Sequence, residues 1–334
     1  MSDNFGGAAK SGAGSELSAA RLPALFTGSK GPLIGLVLLC VALSLTTDTF
    51  LTVRNILNIL DQVTVLGIMA IGMTLVILIG GIDLSVGSVL ALAGMVFGAV
   101  AHPDYLGMPV AIGIAAALLV AAACGLVSGL LVTIAQLPPF IATLAMMSVA
   151  RGLANMITDG SQIVGFPGWF SDLSIVRHFG FLSVTVALML VLAAAFAVFL
   201  NYRSTGRNLY AIGGSAEVAR LSGIPVATLT NAVYAVCALL AGLAGIVLAA
   251  RLDSVQPSSG FGYELDTIAA VVIGGASLSG GVGSIGGTAV GVLIIGVLRN
   301  GLNLLGVSPF IQQVIIGVVI ALAVAADTWR RRSR

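Results

Sequence analysis

Two glycine-rich segments that carry polar side chains interrupt apolar runs of this chain. The first, Gly80-Gly-Ile-Asp-Leu-Ser-Val-Gly-Ser88, holds Asp83, and Gly274-Gly-Ala-Ser-Leu-Ser-Gly-Gly-Val-Gly-Ser284 repeats the pattern GG-x-x-LS near the other end. A carboxylate at mid-bilayer costs about 2.5–3.5 kcal/mol, so Asp83 is expected to face protein, water or a helix end. Matched segments of this kind in two halves of a membrane protein indicate broken helices near a binding site. Tight helical connections, in which glycine permits close packing, are the alternative.

A polar stretch over residues 202–225 predicts a short exposed helix. Gly213 and Gly214 break the chain, and Ser215 can cap a new helix. Glu217 lies in the first turn of that helix and Arg220 near its end, as the helix dipole favours. Gly223 fits the position after the helix. A two-turn helix is marginal in water, and this one exposes Val218, Leu221 and Ile224. We therefore expect it to dock on a cytoplasmic partner or to fold back on its own membrane domain.

No pattern in the sequence indicates an enzyme. A phosphate-binding loop needs G-x-x-x-x-G-K-[ST], and the only lysines, Lys10 and Lys30, lie in no such setting. Cys40, Cys124 and Cys237 lie inside apolar runs without metal-ligand spacing, so we expect no disulfide framework and no metal site. The net charge of +2 gives no indication of nucleic-acid binding. We expect no catalytic residue and no cofactor, and any ATP would be bound by a partner subunit.

The composition predicts an all-α integral membrane protein. Hydrophobic residues make up 58% of the 334 positions and charged residues 8%, against about 25% in soluble domains. Apolar stretches long enough or nearly long enough to span a bilayer predict a polytopic bundle of about ten transmembrane helices. These stretches are Gly31–Thr47, Val63–Ile82, Val86–Ala101, Val110–Ala135, Phe140–Ile157, Phe181–Leu200, Val226–Ala250, Thr267–Gly281, Ile285–Leu298 and Phe310–Ala326.

The distribution of Lys and Arg predicts the orientation. With ten spans, ten positive charges fall in the two tails and the 202–225 loop, and three fall in loops of the opposite side. Positive charge favours the cytoplasmic side. We therefore expect a disordered cytoplasmic N-terminal tail over residues 1–30, a transmembrane domain over 31–328, and a basic cytoplasmic C-terminal tail over 329–334.

Amides outnumber carboxylates deep in the apolar runs, which suits an uncharged, hydroxyl-bearing solute better than ion coupling. The candidates for lining a pathway are Asn58, Gln62, Asn300 and Asn303. For any one of them, a helix-to-helix hydrogen bond is the favoured alternative.

Several longer strings resemble the permease subunits of ribose-type ATP-binding-cassette (ABC) sugar importers. They are Ala70-Ile-Gly-Met-Thr-Leu-Val-Ile-Leu78, Gly81-Ile-Asp-Leu-Ser-Val-Gly-Ser88, Phe140-Ile-Ala-Thr-Leu144, the loop from Gly206 to Ile224, Gly262-Tyr-Glu-Leu-Asp-Thr-Ile-Ala-Ala-Val-Val-Ile-Gly-Gly275 and Asn300-Gly-Leu-Asn-Leu-Leu-Gly306. The resemblance covers residues from about 50 to 327 and leaves out the N-terminal tail.

The resemblance implies a multi-pass homodimer in the bacterial inner membrane, in contact with membrane lipid. A cytoplasmic ABC ATPase would dock beneath it, and a periplasmic sugar-binding protein would deliver a monosaccharide or polyol. The coupling segment would comprise Tyr210, Gly213, Gly214, Ser215, Glu217, Arg220, Leu221 and Gly223, and the broken-helix region Asp83, Ser85, Gly274, Gly275 and Ser277. The alternatives are an ABC permease for branched-chain amino acids, an ion-coupled secondary transporter and a passive channel.

Overall fold

The computed structural model describes residues 31–332 of the chain and is predominantly helical over that range. The helices are α1 (Gly31–Thr46), α2 (Val53–Leu78), α3 (Val86–Ala101), α4 (Val110–Thr133), α5 (Pro139–Met156), α6 (Gly168–Ile175), α7 (Val184–Tyr202), α8 (Ser204–Gly214), α9 (Ala216–Leu221), α10 (Val226–Leu252), α11 (Tyr263–Ile273), α12 (Ile285–Leu304) and α13 (Pro309–Arg332). Four two-residue strands are β1 (Ile163–Val164), β2 (Arg177–His178), β3 (Leu182–Ser183) and β4 (Ser254–Val255). The predicted tail over residues 1–30 and the last two residues lie outside the described range.

Within residues 31–332, five helices are long and apolar enough to span a membrane, namely α2, α4, α7, α10 and α12. Three shorter apolar helices are α1, α3 and the part of α13 up to Leu322. The prediction of a polytopic helical membrane protein is thereby confirmed, whereas the count of ten spans stays a prediction. The 11 residues of α11 extend only about 16 Å at 1.5 Å per residue, about half of a ~30 Å hydrocarbon core.

Helix α2 begins earlier and ends sooner than the apolar run over residues 63–82 predicts. The side chain of Thr52 caps its start by accepting a hydrogen bond from the amide of Asn55. At its other end Gly80 has a φ of +77°, a conformation that ends the helix and favours glycine. The hydropathy pattern misses both ends because it reports apolar character and not backbone geometry.

Helices α2 and α10 form the centre of the bundle. Their most apolar windows are 78% and 72% buried, against 17% for α7, and α10 packs on α2, α3 and α4. Glycines let these backbones approach. A Cβ on Gly72 would lie 2.9 Å from the Cα of Cys237, and one on Gly125 would lie 2.8 Å from the Cα of Ala235. Close packing of small residues replaces the hydrophobic drive that lipid does not provide.

The connections that follow α5 and α10 contain the four short strands and α6. Strand β1 pairs antiparallel with β4, and β2 pairs antiparallel with β3. Arg177 in β2 forms an ion pair of 2.6 Å with Asp61 on α2, whose other carboxylate oxygen accepts a hydrogen bond from Ser183. These contacts fix the β2–β3 hairpin to α2.

A reciprocal pair of amides ties α12 to α2. The Nδ2 of Asn55 donates to the Oδ1 of Asn300 at 3.0 Å, and the Nδ2 of Asn300 donates back at 2.9 Å. Both side chains are buried, and the hydroxyls of Thr74 and Thr288 share a further hydrogen bond of 2.7 Å between the same two helices. Asn300 therefore makes the helix-to-helix contact that the sequence left as the alternative to lining a pathway.

We predict that Asn300→Leu lowers the free energy of unfolding by about 1–3 kcal/mol, because it leaves the buried amide of Asn55 without its partner. The measurement is the thermal unfolding of the purified protein in detergent. Asn58→Leu is the matched control, because Asn58 lies on α2 near Asn55 and is exposed, and we expect it to change stability by no more than about 0.5 kcal/mol. Equal losses in the two variants would contradict the proposed importance of the amide pair.

Candidate functional site

Helix α9 is a six-residue helix that stands out from the bundle. The hydroxyl of Ser215 caps it by accepting a hydrogen bond from the amide of Val218, as the sequence predicts. Val218 is 61% exposed and Leu221 is 76% exposed, whereas Ala219 is buried. Two large apolar side chains are thus exposed on this short helix, and its docking role stays a prediction.

The charged residues of α9 form an ion pair one turn apart. The guanidinium of Arg220 donates to the Glu217 carboxylate at 2.7 Å, and both side chains are about two-thirds exposed. This hydrogen bond and the nearby charge hold the pKa of Glu217 below its ordinary value and raise the pKa of Arg220. An exposed pair of this kind contributes little to stability, so its main consequence is a fixed pattern of charge beside the two exposed apolar side chains.

Helix α8, which the sequence did not predict, precedes α9. The expectation that Gly213 and Gly214 break the chain is wrong, because α8 continues through both glycines and the extended residue is Ser215, with φ −163° and ψ 111°. Leu209 and Ile212 of α8 are buried. Glycine is tolerated in this helix because Gly213 packs where a side chain would not fit.

Three glycine-containing segments meet at the end of α8, and we call this contact the glycine junction. Its segments are 78–81 at the end of α2, 213–214 at the end of α8, and 280–281 between α11 and α12. The amide of Gly281 donates to the carbonyl oxygen of Leu78 at 2.9 Å. A Cβ on Gly213 would overlap both of these groups, and one on Gly280 would lie 2.9 Å from the Gly213 Cα and the Gly80 amide nitrogen.

Tyr210 provides a second link between α8 and the α11–α12 segment. Its hydroxyl donates a hydrogen bond to the carbonyl oxygen of Gly283 at 2.9 Å, and burial raises the pKa of this tyrosine. Gly283 lies two residues before α12 begins at Ile285. Helix α8 is therefore fixed both to the end of α2 and to the start of α12.

The first broken segment connects α2 to α3 through non-helical residues that are largely buried. The Oδ1 of Asp83 accepts hydrogen bonds from the amide and the hydroxyl of Ser85, at 2.8 and 2.6 Å. Asp83 is fully buried at the positive N-terminal end of α3, where a carboxylate is favoured. Among residues 31–332, neither its Oδ2 nor the buried hydroxyl of Tyr234 has a hydrogen-bond partner.

The second broken segment is a compact turn between α11 and α12. The amide of Ser277 donates to the carbonyl of Val282, and Ser277 is buried. Gly275 has a φ of +96°, and a Cβ on Gly274 would overlap the backbone of Gly287. The two GG-x-x-LS motifs meet where Ser279 approaches Gly80, because a Cβ on Gly80 would lie 3.6 Å from the Ser279 carbonyl oxygen.

The start of α3 also lies against the start of α11 and the turn before it. A Cβ on Gly260 would lie 2.7 Å from the carbonyl oxygen of Gly87, and one on Gly87 would come within 2.5 Å of Glu264. Arg151 on α5 holds the turn before α11, because its guanidinium donates to the carbonyls of Pro257 and, at 2.9 Å, Ser259. Arg151 lies within the apolar stretch Phe140–Ile157, and the sequence alone does not indicate this contact.

The four amides predicted to line a pathway do not form one cluster. Asn58 is exposed on α2, and the Oδ1 of Asn303 accepts a hydrogen bond from Gln312 at 2.7 Å. Gln62 borders a cavity, which it shares with the ion-paired Asp266 and Arg299. The sequence did not select that ion pair, although two opposite charges inside apolar runs were the available signal.

Comparison with known proteins identifies relatives over most of the chain. The sequence pattern of the family described as "Branched-chain amino acid transport system / permease component" matches residues 55–324. The ribose import permease protein of Escherichia coli (strain K12) is 47% identical over 302 residues, covering 88% of this chain and 92% of that protein. The ribose import permease protein of Bacillus subtilis (strain 168) is also 47% identical, covering 89% of this chain and 92% of that protein. The L-arabinose ABC transporter permease protein of Azospirillum brasilense is 38% identical, covering 89% of this chain and 87% of that protein. No solved structure matches the chain.

We predict that Gly213→Ala and Gly214→Ala have opposite effects, although they are adjacent in one helix. Alanine normally stabilises an exposed helical position by about 1 kcal/mol relative to glycine, and the space beside Gly214 is open. At position 213 the added methyl group would overlap the backbone of α2 and of the α11–α12 segment, at a cost of about 1–3 kcal/mol. Thermal unfolding of the two purified variants measures the difference. Similar unfolding temperatures would show that the glycine junction is not closely packed.

Proposed function

Because the chain belongs to the family described as "Branched-chain amino acid transport system / permease component", we propose that it is the membrane-spanning permease of an ABC importer for a monosaccharide. The observation that carries the proposal is 47% identity, over nearly nine-tenths of the chain, to two permeases named for ribose import. Relatives named for L-arabinose have identities of 36–38%. We therefore propose a pentose as the solute, with D-ribose the first to test.

The energy source would be a separate ATPase. An ABC permease works with a cytoplasmic ATPase and a periplasmic binding protein, and this chain contains no sequence that could form a phosphate-binding loop. In our proposal the ATPase docks on α9, whose apolar residues Val218 and Leu221 are exposed beside the Glu217–Arg220 pair. Two copies of the permease would present two such helices, one for each ATPase subunit.

The glycine junction supports a route by which ATPase motion could reach the membrane segments. Helix α9 follows α8 directly, and α8 contacts the end of α2 through Gly213 and the segment before α12 through Tyr210. A displacement of α8 would act on both broken segments at once, because Gly213 lies directly against the backbone of Leu78 and of Gly281. Alternating access would then follow from movement of α2 and α12 relative to each other.

The orientation follows from the same proposal. If α9 meets a cytoplasmic ATPase, then the ends of α2 and α7 and the start of α12 face the cytoplasm. Arg203, Arg207 and Arg220 lie in or beside α8 and α9, which agrees with positive charge on the cytoplasmic side. Both chain termini would also be cytoplasmic, in the inner membrane of a bacterium.

Uptake by liposomes tests the function and separates it from the alternatives. The permease is reconstituted with its ATPase and binding protein, and labelled D-ribose, L-arabinose and leucine are supplied outside. We expect uptake of a pentose that requires ATP inside, because the driving force would come from the ATPase. Uptake of leucine instead would indicate an amino acid importer. Uphill sugar movement by the chain alone on a proton gradient would indicate a secondary transporter, and downhill movement without energy a channel.

We predict that Glu217→Lys abolishes substrate-stimulated ATP hydrolysis, because it places two like charges where the docking surface has an ion pair. The double variant Glu217→Arg with Arg220→Glu keeps the pair in reversed order and separates recognition from the stability of α9. We expect it to insert normally and to remain uncoupled. The measurement is ATPase activity in the reconstituted complex with and without loaded binding protein.

A companion variant tests the apolar part of the same surface. Leu221→Asp should also uncouple hydrolysis, whereas Leu221→Met should keep it because the exposed apolar area is retained. Normal stimulation in both Glu217→Lys and Leu221→Asp would place the docking surface elsewhere.

A further inference from the structure

An ion pair between α11 and α12 lies beside open space between helices. The guanidinium of Arg299 is 2.6 Å from the Oδ2 of Asp266, and the Arg299 side chain is 37% exposed while that of Asp266 is 9% exposed. Ionisable side chains within membrane segments are costly and face protein partners or water-filled space. The exposed part of Arg299 borders such space.

Two cavities share this ion pair as a common wall. The larger is about 280 Å³ and is also bordered by Phe261, Gln312 and Gln313. The smaller, about 40 Å³, is bordered by Gln62 on its other side. A site for a small molecule is typically at least ~300 Å³, so the larger cavity is close to the size that a small solute requires.

The polar groups around the larger cavity have unused hydrogen-bonding capacity. Arg299 has five N–H donors, and within residues 31–332 it donates only to Asp266. The Nε2 of Gln312 donates to Asn303 and to the Val307 carbonyl, so its remaining capacity is an acceptor oxygen. Over the same residues the amide of Gln313 makes no hydrogen bond. Donors and acceptors are therefore both available, with no net charge.

A second ion pair in the chain shows what a purely structural pair looks like. Asp61 accepts from Arg177 with one oxygen and from Ser183 with the other, so both of its oxygens have partners. Asp266 accepts from Arg299 with Oδ2, and in the part of the chain that the structure describes its Oδ1 has no hydrogen-bond partner. A pair that only joined two helices would not need a cavity on each side.

We propose that this cavity binds a neutral polyhydroxyl solute, a pentose in the first instance, as a step in its passage through the permease. The inference rests on the proposed function, from which it takes the class of solute. Asp266 and the Gln312 oxygen would accept hydroxyl hydrogen bonds and Arg299 would donate. Phe261, which is 77% exposed at the rim, would contact the apolar face of the sugar. Because Asp266 and Arg299 neutralise each other, the site has no surplus charge for an anion.

The position of the cavity along α12 fits a site reached from the side opposite to α9. Arg299 follows Ile285 by 14 residues, which corresponds to about 21 Å along the helix. The start of α12 is the end that Tyr210 and α8 contact. The solute site and the contact with α8 would thus lie near opposite ends of α12.

Protection of an introduced cysteine tests the site. Gln313→Cys is made in the full chain with Cys40→Ala, because Cys124 and Cys237 are buried and Cys40 is partly exposed. The protein in lipid nanodiscs is labelled with a maleimide in the presence of D-ribose or of leucine. Val314→Cys is the control, because Val314 is the next residue on α13, is 67% exposed, and does not border the cavity.

We expect D-ribose to slow labelling at position 313 and not at 314, and leucine to slow neither. Adding Arg299→Gln should raise the ribose concentration needed for protection by about tenfold, since a charged donor is lost. Protection by leucine alone would overturn the class of solute, and equal labelling rates with and without ribose would overturn the site. Failure of the proposed function itself would appear separately, as absence of pentose uptake by the wild-type complex in liposomes.

Discussion

The contact on which the arrangement depends is the backbone hydrogen bond from Gly281 to Leu78, with Gly213 pressed against it. It brings the end of one central helix, the turn between two others and the base of the exposed α9 into one place. Backbone groups cannot be left unpaired in an apolar environment, so the broken segments need partners outside their own helices. Because glycine has no side chain, the backbone of another segment can come close enough to be that partner.

The same constraint explains the two matched motifs. Each GG-x-x-LS segment ends a helix in a bundle where backbone must meet backbone, and each therefore needs residues without a side chain at the point of contact. The sequence left broken helices near a binding site and close packing as two alternatives; the structure shows the close packing, and the binding site stays a prediction. Asp83 fits this arrangement, because a carboxylate buried beside the start of α3 interacts favourably with the positive end of that helix.

Much of the fold could be predicted from the sequence, since long apolar runs and the Ser215 cap are local signals. What could not be predicted depends on contacts between distant residues. Helix α8 contains three glycines and few apolar residues, so its packing on the end of α2 and on the turn before α12 accounts for it. The partner of Asn300 is 245 positions away, and nothing local distinguishes an amide that faces a pathway from one that pairs with Asn55. The cavity beside Asp266 and Arg299 could not be predicted for the same reason, because it forms only between three helices.

The composition of α8 also bears on the order in which the protein is made. Each glycine in a helix interior lowers its intrinsic stability by about 1 kcal/mol relative to alanine, and Gly206, Gly213 and Gly214 all lie within these 11 residues. Segment 204–214 would therefore not hold a helix on a nascent chain. It becomes helical when it packs on α2 and on the turn before α12, and the latter emerges from the ribosome some 70 residues later. The platform that presents α9 is thus completed only once the bundle has assembled, which makes a correctly displayed α9 a mark of a finished subunit.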